Sequence, residues 1–235
     1  MFQRVRGRRP LLGPIVFLVA IAVCVSALAT SWWAVDAIVY YHGEEAYCEN
    51  YWTTVFPSGT YASECGGSSP PGSGGSSGLH VPHVAAVMAV SVQLTLLGAV
   101  LSALVVLFSV LPRPGFLPRR GLAVLALSVG LVAATACFVG AAYFEEELPH
   151  AWQSDNFTYQ TGDPHPPSFS GQNTISVPPN NSGITETWTW GPTSGWYLSW
   201  AAGGLMGVGS ILTWGSLWRN GWRRRPRGSS SPPSQ

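Results

Sequence analysis

The sequence predicts an all-α transmembrane protein, a four-helix bundle with a small extracellular antiparallel β-sheet drawn from its outer loops. Three observations predict it. Four runs, at about residues 11–33, 84–111, 121–144 and 195–218, contain no charged residue. Each is long enough, at about 1.5 Å per residue, to cross the roughly 30 Å hydrocarbon core of a bilayer. All 12 basic residues are arginine, clustered as Arg4, Arg6, Arg8 and Arg9, then Arg113, Arg119 and Arg120, then Arg219, Arg223, Arg224, Arg225 and Arg227. The 11 acids lie in the other connections: Asp36, Glu44, Glu45, Glu49 and Glu64, then Glu145, Glu146, Glu147, Asp155, Asp163 and Glu186. With four alternating spans, every arginine falls on one face and every acid on the other, so the basic face, both termini included, is cytoplasmic. A composition 46% hydrophobic and only 10% charged over 235 residues, with mean hydropathy +0.20, fits a single small polytopic domain of the cell membrane.

The first run, LLGPIVFLVAIAVCVSALATSWW, follows four arginines and ends on Trp32 and Trp33, which read as an interfacial aromatic belt. A basic start, an apolar core and the triplet Ala27, Leu28 and Ala29 also describe a cleavable signal peptide. The run exceeds the roughly 7 to 15 apolar residues of such a segment, which favours a retained helix. Either reading leaves the orientation of the rest unchanged.

Residues 34–81 form the first outer segment. AVDAIVYY and YWTTVF are rich in strand formers, and Pro57, Ser58 and Gly59 set a turn before TYASEC, which predicts an antiparallel hairpin. Cys48 and Cys65 flank it on the acidic, non-cytoplasmic side, where disulfides persist. They are read as a disulfide, worth roughly 3 kcal/mol in the chain-entropy account. Cys24 and Cys137 lie within apolar runs and read as buried thiols. GGSSPPGSGGSSG, residues 66–78, has the composition of a flexible tether.

The second helix is entered through Pro82 and His83 and ended by Pro112 and Pro114. The basic turn LPRPGFLPRRG makes helices two and three antiparallel neighbours. The third helix, rich in Ala, Gly, Ser and Thr, suits close packing and is expected to end at Phe144. The second outer segment, 148–194, reads as an irregular loop with candidate glycosylation sequons at Asn156 and Asn180. Near its end ETWTWGP alternates Trp188 and Trp190 with threonines, a strand signal that would extend the hairpin. In the fourth helix Gly203 and Gly207 make a small-xxx-small face, for packing within the chain or between copies. The tail, 219–235, is basic and then disordered, and its arginines serve orientation and attraction to anionic lipid.

Four helices, a larger first outer segment with two cysteines after a tryptophan, and a fourth helix opening with Gly195, Trp196, Tyr197 and Trp200 together resemble the claudin superfamily. That group includes claudins, peripheral myelin protein and its epithelial relatives, and the gamma subunits of calcium channels and AMPA receptors. The resemblance covers the architecture of the whole chain. It departs from the family pattern in holding Glu45, Ala46 and Tyr47 where those proteins place Gly-Leu-Trp, and in the sixteen residues between Cys48 and Cys65. The resemblance implies a claudin-like four-helix membrane protein with a strand-rich extracellular module.

No ionisable residue lies inside the apolar runs, where one would be costly and therefore functional. Ser91, Gln93, Thr95 and Thr135 read as hydrogen-bonding groups between helices. His42, Glu44, Glu45 and Glu49, and Glu145, Glu146 and Glu147 with His150, match no recognised metal spacing and read as a solvated acidic face. No HExxH, phosphate-loop or zinc pattern occurs, and the GxSxG match at residues 74–78 falls in the low-complexity tether rather than at a strand-to-helix turn. No catalytic residue, metal, cofactor or nucleic-acid partner is therefore expected, and the chain is not read as an enzyme. Of the outer aromatics, Tyr40, Tyr41, Tyr47, Tyr51, Trp52, Phe56, Trp188 and Trp190, half or more are expected in the sheet core and its seat on the bilayer. Tyr51, Trp52, Trp188 and Trp190 are the candidates for partner contact. The expected function is that of a non-enzymatic multi-pass membrane protein whose outer module contacts other membrane proteins or a second copy, in an adhesion, junction-like or regulatory-subunit role. The alternative is a small transporter or channel, or an auxiliary subunit of one.

Overall fold

The computed structural model describes residues 12–41, 44–54, 61–63, 82–110, 119–155, 168–176 and 184–222. In order these form α1 (Leu12–Ala29), β1 (Ser31–Tyr41), β2 (Glu44–Thr54), β3 (Tyr61–Ser63), α2 (Pro82–Val110), α3 (Arg119–Ser154), β4 (Gly171–Ser176), β5 (Ile184–Pro192) and α4 (Ser194–Trp222). The fold is mostly helical, and α1, α2 and α3 are long and apolar enough to cross a membrane. The fourth helix matches them in length, at 29 residues, but its serines and glycines make it less apolar.

Each helix packs on its sequence neighbours, and α1 meets α4 to close the ring. Polarity is turned outward-in compared with a water-soluble bundle. Large aliphatic side chains face out, from Leu12 at 61% exposure to Ile211 at 58%, while Ser91, Thr95, Ser102, Ser199, Ser210 and Thr213 are buried. That arrangement suits a surrounding solvent as apolar as leucine, in which helices associate through small residues and hydrogen bonds. The Thr95 hydroxyl accordingly lies 3.0 Å from the Ser91 carbonyl and 3.3 Å from Ser199 Oγ on α4. At Gly98 the backbones of α2 and α3 come so close that a Cβ would lie 2.9 Å from the Ala133 carbonyl oxygen. Gln93 and Thr135, by contrast, are exposed and do not bridge helices within the chain; both sit on outward faces. Of the two glycines expected to share a packing face, Gly203 abuts Phe138 while Gly207 has open space beside it.

Two helix ends differ from expectation. The first helix stops at Ala29, and Trp32 and Trp33 belong to β1, buried at 0% and 1% exposure, so they form no interfacial belt. Their indole N–H groups find carbonyls inside the protein instead: Trp32 donates to Ala27 and Trp33 to Phe169, both at 2.8 Å. The third helix runs on through the glutamates and Pro149 to Ser154, so the first part of the second outer segment is helical. Phe144, Leu148, Ala151 and Trp152 recur at helical spacing and are all buried, which holds the extra turns in place.

The five strands form one antiparallel sheet in the order β3-β2-β1-β5-β4. The expected hairpin is β2 with β3, pairing Tyr51 with Ser63 and Thr53 with Tyr61. The strand read in ETWTWGP is β5, which lies along β1 from Trp33↔Pro192 to Tyr41↔Ile184. Strand β4, within the segment read as an irregular loop, pairs with β5 from Gly171↔Trp190 to Ser176↔Thr185. Helix ends cluster accordingly. At one end α1 and α4 run into the sheet and Asp155, just past α3, meets the start of α2. At the other, Arg120 of α3 lies over the Trp218 ring of α4, 5.5 Å from its centroid.

Candidate functional site

The sheet is fastened to the bundle by an aromatic seat. β1 leaves α1 directly, so its first residues lie over the helix ends, and Trp32 packs edge-on against Phe144 of α3 with ring centroids 5.3 Å apart. Trp33 stacks at a tilt on Trp152, 5.6 Å away. Phe169, before β4, links Phe144 at 5.9 Å to Trp196 of α4 at 5.5 Å. The Trp196 indole donates to the Ala141 carbonyl at 3.1 Å. Aromatic pairs in such edge and tilted geometry add about 0.5–1.5 kcal/mol each beyond their burial. Backbone pairing closes the seat: Thr193 N–H donates to the Trp32 carbonyl at 2.9 Å, and the Thr193 hydroxyl donates to the Ser31 carbonyl.

A carboxylate clasps the other side. Asp155 accepts the backbone N–H groups of His83 and Val84, both at 3.0 Å, and its Oδ1 lies 2.6 Å from His83 Nδ1. Its side chain is 1% exposed. The first N–H groups of a helix have no partner within the helix and carry partial positive charge, so Asp155 serves as the N-cap of α2 from 72 residues away. Sequence reading placed Asp155 only among the outer acids. The signal was present: Pro82 opens α2, yet Val81 before it cannot cap.

Strand alternation decides which residues face the bundle. Trp188 is 7% exposed and part of the aromatic core, and Trp190, two residues on, packs partly buried against the same cluster. The Trp190 indole donates to the Ser168 carbonyl at 3.0 Å. Both candidates in β5 therefore point into the seat. Tyr51 and Trp52 lie in β2, opposite Val35 and Ala34, but their side chains lie outside the described residues. On β4 and β5 the opposite face carries Gln172 and Thr174 beside Thr189 and Thr187. Thr174 and Thr187 hydroxyls are 3.2 Å apart, and Gln172, Thr174 and Thr189 are exposed. This uncharged polar face is the surface that the seat leaves pointing outward.

Cys48 stands in β2 opposite Ile38, whereas Cys65, His42, Asn156 and Asn180 lie outside the described residues. Cys24 and Cys137 are buried free thiols. Glu145 and Glu146 are exposed on α3. Among the described residues, no three His, Cys, Asp or Glu side chains converge in a way that could hold a metal ion. No model of a known protein family matches the chain, and no curated protein matches it.

Proposed function

We propose that this is a non-enzymatic multi-pass protein of the cell membrane, claudin-like in build, that acts through contacts of its outer sheet with other membrane proteins or with a second copy. In this reading all four helices span, both termini are cytoplasmic, and the sheet stands on the opposite side with Cys48 and Cys65 bonded. Charge sorting supports the orientation: Arg119 and Arg120 stand at the far end of the bundle from Glu145, Glu146, Glu147 and Asp155. Outward-facing Val208 and Ile211 on α4 support a fourth span.

One observation carries the functional reading: the sheet is not a loose loop but is welded to the helices through Trp32, Trp33, Phe144, Trp152 and Phe169. A rigid platform suits recognition because little ordering entropy is lost on contact. Meanwhile Phe17, Ala133, Cys137 and Met206 fill the bundle interior, which favours a contact protein over a conduit through a single chain. Chemical cross-linking in intact membranes, followed by purification in detergent, tests this. Recovery of a partner or homo-oligomer joined through the sheet supports it. A monomer that joins nothing, or one that raises ion flux in liposomes, overturns it.

A further inference from the structure

Three sulfur atoms meet in the middle of the bundle. Cys24 of α1, Cys137 of α3 and Met206 of α4 are each fully buried in one cluster. Cys24 Sγ lies 3.9 Å from Cys137 Sγ, which lies 3.8 Å from Met206 Sδ. The second helix supplies the remaining wall with Gly98, where a Cβ would sit 2.6 Å from Cys137 Sγ and 3.7 Å from Met206 Sδ. Any larger residue there would push the sulfurs out of place.

We propose that this cluster binds a soft monovalent metal ion, Cu(I), with Cys24, Cys137 and Met206 as ligands. Three metal–sulfur bonds of about 2.3 Å, the length of zinc–thiolate bonds, meeting in a plane set their sulfurs about 4.0 Å apart. The two observed edges already have that length. Thiolate and thioether donors select Cu(I), whereas magnesium and calcium take oxygen ligands, and structural zinc takes a closed set of four. Uptake displaces both thiol protons into the aqueous buffer: the ion bonds to two thiolates and one thioether, with no change of oxidation state. The one negative charge that remains is shared by the metal and its two thiolates, and a buried charge is tolerated where it coordinates a metal. Bound metal would tie α1, α3 and α4 together at a level where side-chain packing otherwise joins them.

The test is a titration of the full-length protein in detergent, purified without reductant so that Cys48 and Cys65 stay bonded, under anaerobic conditions, with Cu(I) against a chromogenic chelator and with Ag(I) as a redox-inert probe. Expected are one ion per chain and an all-sulfur shell by X-ray absorption. Cys24→Ser and Cys137→Ser should each weaken binding by no less than the roughly 10- to 100-fold that losing an outer-shell partner costs a metal site. Met206→Leu keeps the volume of the side chain, so weaker binding by a folded M206L variant separates ligand loss from misfolding. The double variant Cys48→Ser/Cys65→Ser should bind as the parent does. Undiminished binding by C24S/C137S, a shell containing nitrogen or oxygen, or closure of Cys24 and Cys137 into a disulfide without metal uptake would each overturn the proposal.

Discussion

Gly195 and Trp32 are in direct contact: a Cβ on Gly195 would run into the Trp32 indole, and would lie 2.7 Å from the Ser31 carbonyl oxygen and 2.9 Å from that of Thr30. The first turn of α4 thus lies against the junction of α1 and β1 with only a hydrogen atom to spare. This gives a physical reason for a glycine at the opening of the fourth helix, where Trp196 and Trp200 follow.

Replacement of Gly195 by alanine is therefore expected to destabilise the protein, although alanine is the better helix former. Overpacking of this kind costs about 1–3 kcal/mol. Thermal unfolding in detergent should place Gly195→Ala well below the parent, whereas Gly204→Ala, at a glycine with open space beside it, should match or exceed it.

The Asp155 clasp makes a second expectation. Asp155→Ala removes the cap of α2 and should cost about 0.5–2 kcal/mol, while Asp155→Asn, which keeps an acceptor oxygen, should cost less. Hydrogen exchange at the His83 and Val84 amides should accelerate in the alanine variant before exchange rises in the middle of α2.

The aromatic seat makes a third. Trp32→Ala empties a fully buried site and should cost about 3–5 kcal/mol. Ile211→Ala, at an exposed position far from the seat, should change stability by about 0.5 kcal/mol or less. Chemical unfolding of the two variants beside the parent distinguishes a true seat from a loose packing of rings.

A fourth concerns the outward face of β4 and β5. Charges placed there by Gln172→Arg and Thr189→Glu should leave stability within about 0.5 kcal/mol and abolish cross-linking to a partner. Unchanged cross-linking would move the contact surface elsewhere on the sheet.

The helices were legible in the sequence because each contains some twenty consecutive positions without charge, bounded by connections that carry the arginines and acids. Most of β1, the second half of β2, β3 and β5 were legible from β-formers, a Pro-Ser-Gly turn and the alternation around Trp188 and Trp190. Trp32 and Trp33 were not, because a tryptophan pair after an apolar run looks the same whether it marks an interface or begins a strand. Strand β4 was hidden because Gly171, Gln172 and Asn173 are poor strand formers that hold their place through pairing with β5. The extension of α3 was hidden behind three glutamates and a proline, though the spacing of Phe144, Leu148, Ala151 and Trp152 signalled it. The meeting of Cys24, Cys137 and Met206 depends on how three separate helices rotate against one another, which no local pattern encodes.

The central claim is that four spans hold the sheet on the far side of the membrane from both termini. The most direct measurement is antibody access in intact and permeabilised cells to three epitope tags: one at each terminus and one inserted at Gly74. The account predicts that the Gly74 tag is reached in intact cells and the terminal tags only after permeabilisation. A terminal tag reached from outside, or a Gly74 tag hidden until the cells are opened, would contradict it.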